Sequence, residues 1–234
     1  MFTYRYETRY GDYKDFETIK PGTVLDVVQD ISIRDSARCG YSLDVLRSIN
    51  KAWLMQGIKV QFLKPIRTHL PLEVSTAVKS LRGVTSERGC ILRQEGEVVA
   101  QTIANWFLLD TEKMRMSKVT QEMIDAYEFY DFEDPFFSYE KPSICQPDTT
   151  DHVIRVGNKD IDTNRHLNNQ KGAEMLMDAL PFDFALREMT LLYKKEAYLG
   201  DELEVCTQQL ENGFYVHLQT REKEICVAGV FKTE

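Results

Sequence analysis

Residues Asp160 to Asn169 read DIDTNRHLNN, a polar strip that sets Asp162, Asn164 and His166 at alternate positions just ahead of a helical pattern. Side chains two apart in an extended chain point the same way, so an acid, an amide and an imidazole would converge on one point. That set suits hydrolysis, in which a base takes a proton from water and a neighbour orients it. The helix that follows would add backbone N–H groups beside them, in the positive field of its N-terminus. Asn168 and Asn169 fit the role of turn and cap residues. They are also candidates for touching a substrate held there.

The elements that must carry this strip are written into the chain twice. A helix is predicted from Pro21-Gly22 through Val24, Val27, Val28 and Ile31, stopping near Gly40, with a short one over 42–49 from a Ser42 cap. Alternation then predicts strands through Ile58, Val60, Phe62 and through Leu72, Val74, Thr76, Val78. Past a turn at Glu95-Gly96, the run Val98 to Leu109 is long enough for a central strand. The second set has a helix over 168–180, ended by Pro181. Strands through Leu203, Val205, Thr207, through Phe214, Val216, Leu218, and through Ile225, Val227, Phe231 follow, with Asn212-Gly213 as a hairpin signal.

LKPIRTHLPLEV, ending at Val74, aligns without a gap on KKEAYLGDELEV, ending at Val205. Each copy would be one antiparallel sheet on one helix, so the fold class is α+β, and two such sheets joined edge to edge would make a pseudo-dimer in one chain. The boundaries are read as 1–110 for the first domain, 111–150 for a linker and 151–234 for the second. The linker holds KMRMSK, a short helix from Thr120 and the acidic aromatic run YEFYDFEDPFF. Tyr130, Phe132, Phe136 and Phe137 can offset its ordering entropy only by packing on the body.

The formal charge of −8 argues against a nucleic-acid partner, which needs a clustered basic face. No window approaches the about 20 apolar residues of a membrane span. The five cysteines, Cys39, Cys90, Cys145, Cys206 and Cys226, are odd in number and show no C-x-x-C pair, which disfavours a disulfide framework or a zinc site. Reduced thiols point to a cytoplasmic setting, and no metal or cofactor is called for. Cys206 and Cys226 read as small core residues, and His69, His152 and His217 as surface or sheet residues.

Over nearly its whole length the chain resembles the acyl-acyl carrier protein thioesterases, a plant-plastid and bacterial family of tandem hot-dog domains. DIDTNRHLNN is similar to the family's D-x-D-x-N-x-H-x-N-N strip, LLYKKEA to its strand presenting a glutamate, and WFLLDTEKMRMSK to its passage into the linker. The resemblance implies two hot-dog domains, each an antiparallel sheet wrapped on a central helix, and a catalytic group of Asp162, Asn164, His166 and Glu196. The partner it implies is an acidic acyl carrier protein carrying a fatty acyl thioester. A homodimer is allowed for. Many plant members have cysteine directly after the glutamate, whereas this chain has Ala197, so attack by water is favoured over a cysteine acyl-enzyme. No transit peptide precedes the first domain, which favours a bacterial origin.

Glu196 and His166 are both candidates for the base, with Asp162 or Asn164 orienting imidazole and water. N–H groups around Asn168 to Gln170 could face the thioester oxygen. Glu196 aligns with Pro65 of the first copy, so only the second copy is armed, and the resemblance suggests that the first holds the acyl chain. Trp53, Met55 and Phe62 are candidates for blocking its tunnel. Lys64, Arg67, Arg82, Lys113, Arg115 and Lys118 are candidates for the carrier dock. Hydrolysis of acyl-coenzyme A, an enoyl-thioester hydratase or dehydratase, and a non-catalytic acyl-binding module are the competing readings.

Overall fold

Pro21 stands in the first turn of α1 (Pro21–Arg38), and Gly40, with a φ of +89°, follows its end in the conformation that glycine alone adopts without strain. Val24, Val27, Val28 and Ile31 are its buried stripe. Ser42 caps α2 (Leu43–Ser48) by accepting from the Val45 N–H, and Thr120 caps α3 (Gln121–Ala126) in the same way at Met123. The computed structural model describes residues 1–15, 18–132, 136–147 and 150–233. Glu133, Asp134 and Pro135 of the acidic aromatic run, and Asp148 and Thr149 of the linker, lie outside the described residues. The chain divides into two units, 1–139 and 140–234.

The first unit sets β1 (Phe2–Tyr6), β2 (Lys51–Phe62), β3 (Leu72–Arg82), β4 (Thr85–Gln94) and β5 (Glu97–Asp110) in an antiparallel sheet. The order is β1-β3-β4-β5-β2, with β6 (Arg115–Met116) beside β5. Alternation does not announce β4, because its helix-facing positions include Ser86 and Arg88 where a period of two asks for apolar residues. Arg88 is accommodated there by Asp35 of α1: its Nη1 donates to Oδ2 over 2.6 Å, and both side chains are buried. A bulge between Met55 and Gly57 reverses the parity of β2. Trp53 and Met55 therefore share a face with Ile58, Val60 and Phe62, the face turned to α1, since Ile58 pairs across Ala104 with Arg88.

The opposite face is covered by the linker's aromatics. Phe132, Phe136 and Phe137 are buried against Ala77 and Ile103, while Tyr130 stays half exposed with its ring edge-on to Phe132. Gly89 permits this, because a Cβ there would stand 2.5 Å from the Phe132 ring.

In the second unit β7 (His152–Arg155), β8 (Glu188–Tyr193), β9 (Glu202–Leu210), β10 (Gly213–Gln219) and β11 (Ile225–Lys232) run β8-β11-β10-β9-β7, all antiparallel. The helix α4 (Asn169–Met177) packs on β10 and β11, with Gly172 against Val227. It ends before the predicted position 180: Ala179 and Leu180 donate three residues back, and Pro181 denies Leu180 a helical continuation. The β9–β10 turn also falls one residue early, on Glu211-Asn212, and Gly213 opens β10 where a Cβ would strike the Phe231 carbonyl. The aligned repeat holds in both units, with Ile66 and Ala197, Leu72 and Leu203, Val74 and Val205 all buried. Among the described residues no helix is long and apolar enough to cross a membrane.

Candidate active site

The strip from Asp160 is not extended, as alternate spacing had suggested; it folds into a tight turn. Asp162 N–H donates to the His166 carbonyl over 2.9 Å, Arg165 N–H donates back to the Asp162 carbonyl over 3.1 Å, and Ile161 bridges to Leu167. The cause is the Asp162 carboxylate, whose Oδ1 accepts from the N–H groups of Asn164 at 2.7 Å and His166 at 3.3 Å, an Asx closure that competes with extension. Asn164 Nδ2 lies 3.4 Å from the other oxygen. Asp162 thus binds the backbone that carries His166, Asn164 binds Asp162, and among the described residues neither side chain bonds the imidazole. Arg165 completes the reversal in the left-handed region, at φ +67°.

The imidazole is met from the other side by the loop after β8. Glu196 lies beyond the end of that strand, in the approach to β9, because Lys194 N–H turns to the Cys226 carbonyl. Leu167 N–H donates to the Ala197 carbonyl over 2.7 Å, and His166 bridges to Tyr198, so the two loops lie side by side. Glu196 and Tyr198 face outward while Ala197 between them is buried. His166 Nδ1 stands 3.8 Å from Glu196 Oε1, with the imidazole about one-third exposed and the carboxylate about half.

Tyr198 is the residue that the strip and the strand did not reveal. Its ring stands edge-on to His166, centroids 5.1 Å apart, and its hydroxyl donates to Glu196 Oε2 over 3.3 Å. The adjacent Glu196 charge, above all, pushes the phenol above its ordinary pKa, so it stays a donor. The available signal was its place two residues beyond Glu196 in a near-extended segment.

At the helix tip Asn168 is a capping residue: its Oδ1 accepts from Gln170 and Lys171 N–H, and its own N–H donates to the Asp160 carbonyl. Of the N–H groups over 168–170, only that of Asn169 donates to no acceptor among the described residues. The Asn169 carbonyl receives the Tyr193 hydroxyl, which ties the start of α4 to β8.

Trp53 packs between the buried groups of Leu46, Leu108, Met123 and of Val78, Leu81, Tyr127, and Met55 is buried beside it on β2. Of the six basic candidates, Lys64 and Arg67 pair with Glu97 and Glu95. Burial pushes the thiols of Cys90 and Cys206 up, and that of Cys226 up to about 11, so these cysteines are held protonated.

Residues 1–127 match the family model of the acyl-ACP thioesterase N-terminal domain, and residues 146–230 match that of the C-terminal domain. Oleoyl-acyl carrier protein thioesterase 1, chloroplastic, of Arabidopsis thaliana is 19% identical over 207 residues, 79% of this chain and 57% of that protein. The Coriandrum sativum oleoyl-acyl carrier protein thioesterase is also 19% identical, with 56% of its length covered. The chain thus spans just over half the length of the curated relatives it matches. Among solved structures, an acyl-ACP thioesterase from Bacteroides thetaiotaomicron superposes with a TM-score of 0.89 at 18% identity, covering 99% of this chain and 96% of that one. The 12:0-ACP thioesterase from Umbellularia californica gives 0.84 at 15% identity over the same shares. These likenesses establish a shared fold.

Proposed function

Because the chain belongs to the acyl-ACP thioesterase family, we propose that it hydrolyses fatty acyl thioesters of acyl carrier protein to the free acid and the carrier thiol. The observation that carries this reading is the facing of His166 and Glu196, 3.8 Å apart, on two loops locked together beside a helix tip. The Glu196 carboxylate holds the proton on Nδ1, which leaves Nε2 as the base, the logic of a triad without its serine. A water gives its proton to Nε2 while its oxygen attacks the thioester carbon. The Asn169 N–H receives the charge that develops on the carbonyl oxygen, a contribution of about 3–4 kcal/mol for one such donor. When the C–S bond breaks, the imidazolium returns the proton to the departing sulfur. The pair's 3.8 Å separation tightens when substrate excludes water, as catalytic hydrogen bonds commonly do.

Asp162 and Asn164 act as positioning residues in this scheme, through the main chain of His166. Held-protonated cysteines and a buried Ala197 side chain agree with water as the nucleophile. The acyl tail is placed in the first unit, where Met55 and Phe62 share the α1-facing side of β2. Carrier protein is placed at Arg82, Lys113, Arg115 and Lys118, cations that make no ion pair among the described residues, in segments joined by the Val119 N–H to Gly83 carbonyl bond. Cysteines without disulfides among the described residues suit a reducing bacterial cytoplasm, the setting this reading takes.

The test is thiol release from acyl-carrier protein and acyl-coenzyme A of equal chain length. Both thioesters should be cleaved, the carrier form with the lower KM, and His166→Ala and Glu196→Ala should each lower kcat at least about tenfold. Equal or better use of the coenzyme A thioester would move the substrate to that carrier. Unchanged rates in both variants would remove the pair from the mechanism. Enoyl absorbance changing without thiol release would make the protein a hydratase.

A further inference from the structure

Resting on the thioesterase reading, we infer that Arg165 is the anchor for the phosphate at the far end of the pantetheine arm, the group shared by acyl carrier protein and coenzyme A. Arg165 sits between Asn164 and His166 at φ +67°, a conformation that every side chain but glycine adopts at a cost and that asparagine tolerates best. The backbone gains nothing from an arginine there, so the turn does not explain the residue. The guanidinium does not find a partner among the described residues either. Exposed Arg165 makes no ion pair or side-chain hydrogen bond among the described residues, as is also true of Lys141, Arg155, Lys159, Arg187 and Lys194 of the same unit; what sets it apart is that it adjoins His166 in the chain.

No acid of the two loops forms an ion pair with it among the described residues. One oxygen of Asp160 accepts from Gly157 N–H, one of Asp162 from Asn164 and His166 N–H, and one of Asp201 from Tyr198 N–H, while Glu196 is met by His166 and the Tyr198 hydroxyl. A planar, permanently charged fork with no ion pair, carried by the residue next to His166, is suited to a phosphate ester.

The neighbouring surface matches the rest of the arm. The antiparallel bridge of His166 to Tyr198 sets Arg165 across from Leu199, which is 57% exposed, and Tyr198 beside it is 48% exposed. In pantetheine the carbon bearing two methyl groups is one methylene from the phosphate oxygen. An exposed leucine next to an unpaired arginine offers an apolar and an anionic contact in that order, while the thioester end runs back toward His166. Both carriers present this arm, and neither the carrier's protein surface nor the nucleotide of coenzyme A is needed for it.

The deciding experiment compares acyl-pantetheine with acyl-4′-phosphopantetheine, thioesters that differ by one phosphate, on the wild-type protein and on Arg165→Gln. The wild type should show a KM lower by about three- to tenfold for the phosphorylated arm. Arg165→Gln should erase that preference and leave kcat, the use of acyl-pantetheine and the thermal midpoint unchanged, with Arg165→Lys intermediate. With acyl carrier protein and acyl-coenzyme A as substrates, the glutamine variant should raise both KM values alike. A phosphate preference that is absent in the wild type, or that survives in the glutamine variant, overturns the inference. A loss confined to carrier protein would make Arg165 a protein-docking residue, and one confined to coenzyme A a nucleotide contact, and either result overturns it. If the wild type cleaves no thioester at all, it is the thioesterase reading that fails, a result distinct from cleavage without phosphate discrimination.

Discussion

Asp162→Asn and Asp162→Ala separate two ways in which an acid beside the proposed catalytic histidine can matter. In the structure its Oδ1 receives the N–H groups of Asn164 and His166, at 2.7 and 3.3 Å, and these bonds shape the turn that presents the imidazole. One is exposed and the other partly buried, and each is worth about 1 kcal/mol. Alanine removes both, about 2 kcal/mol; if that energy holds the imidazole in place in the transition state, turnover falls roughly thirtyfold. Asparagine keeps an oxygen acceptor at the same position and loses only the charge, about 0.5 kcal/mol or roughly twofold. The assay is thiol release from an acyl thioester at saturating substrate, with thermal melts showing that both variants remain folded. A loss in the asparagine variant as large as in the alanine variant would refute the reasoning, because it would mean that the negative charge itself enters the chemistry.

Three further outcomes follow from the packing. His217 on β10 is buried with no hydrogen bond of good geometry to either ring nitrogen among the described residues, beside the buried Tyr215 ring and near Gln219, Glu204 and Lys223, and burial holds its pKa below 6.5. As pH falls through 6.5 the unfolded chain takes up this proton before the folded one, so stability is full above that value and declines below it, by up to about 1.4 kcal/mol per pH unit. His217→Gln should flatten that decline in denaturant titrations between pH 7 and 5, and an unaltered slope would contradict the assignment. Asp35→Ala leaves Arg88 charged and buried without its partner and should cost about 3–5 kcal/mol in chemical denaturation. Gly89→Ala drives a methyl into the Phe132 ring and should cost about 1–3 kcal/mol, with Phe132→Leu in the same chain restoring part of it.

Much of the fold was legible because local chemistry and tertiary packing agree there. Pro21, Ser42 and Thr120 start their helices where capping rules put them, and Leu72, Val74, Leu203 and Val205 bury the alternation they display. Where a buried pair overrides the pattern, the sequence was silent: β4 reads as polar because its Arg88 is matched by Asp35, 53 residues away. The parity of β2 was hidden in the same way, since a bulge at Gln56 is set by pairing with β5 and not by the residue itself.

For the site, residue types alone determined which groups are capable of the proposed chemistry, and the internal repeat showed that Pro65 stands in the first copy opposite Glu196 in the second. Tertiary structure decided how they are arranged. It closed Asp162 onto main chain, left the Asn169 N–H without an acceptor among the described residues, brought Tyr198 against the imidazole and turned Ala197 inward. The physical reason is that a side chain's identity sets its donors, acceptors and charge, which travel with the sequence. Which partner satisfies them depends on chain reversals and on contacts between loops that lie 30 residues apart, and those are fixed only when the whole domain packs.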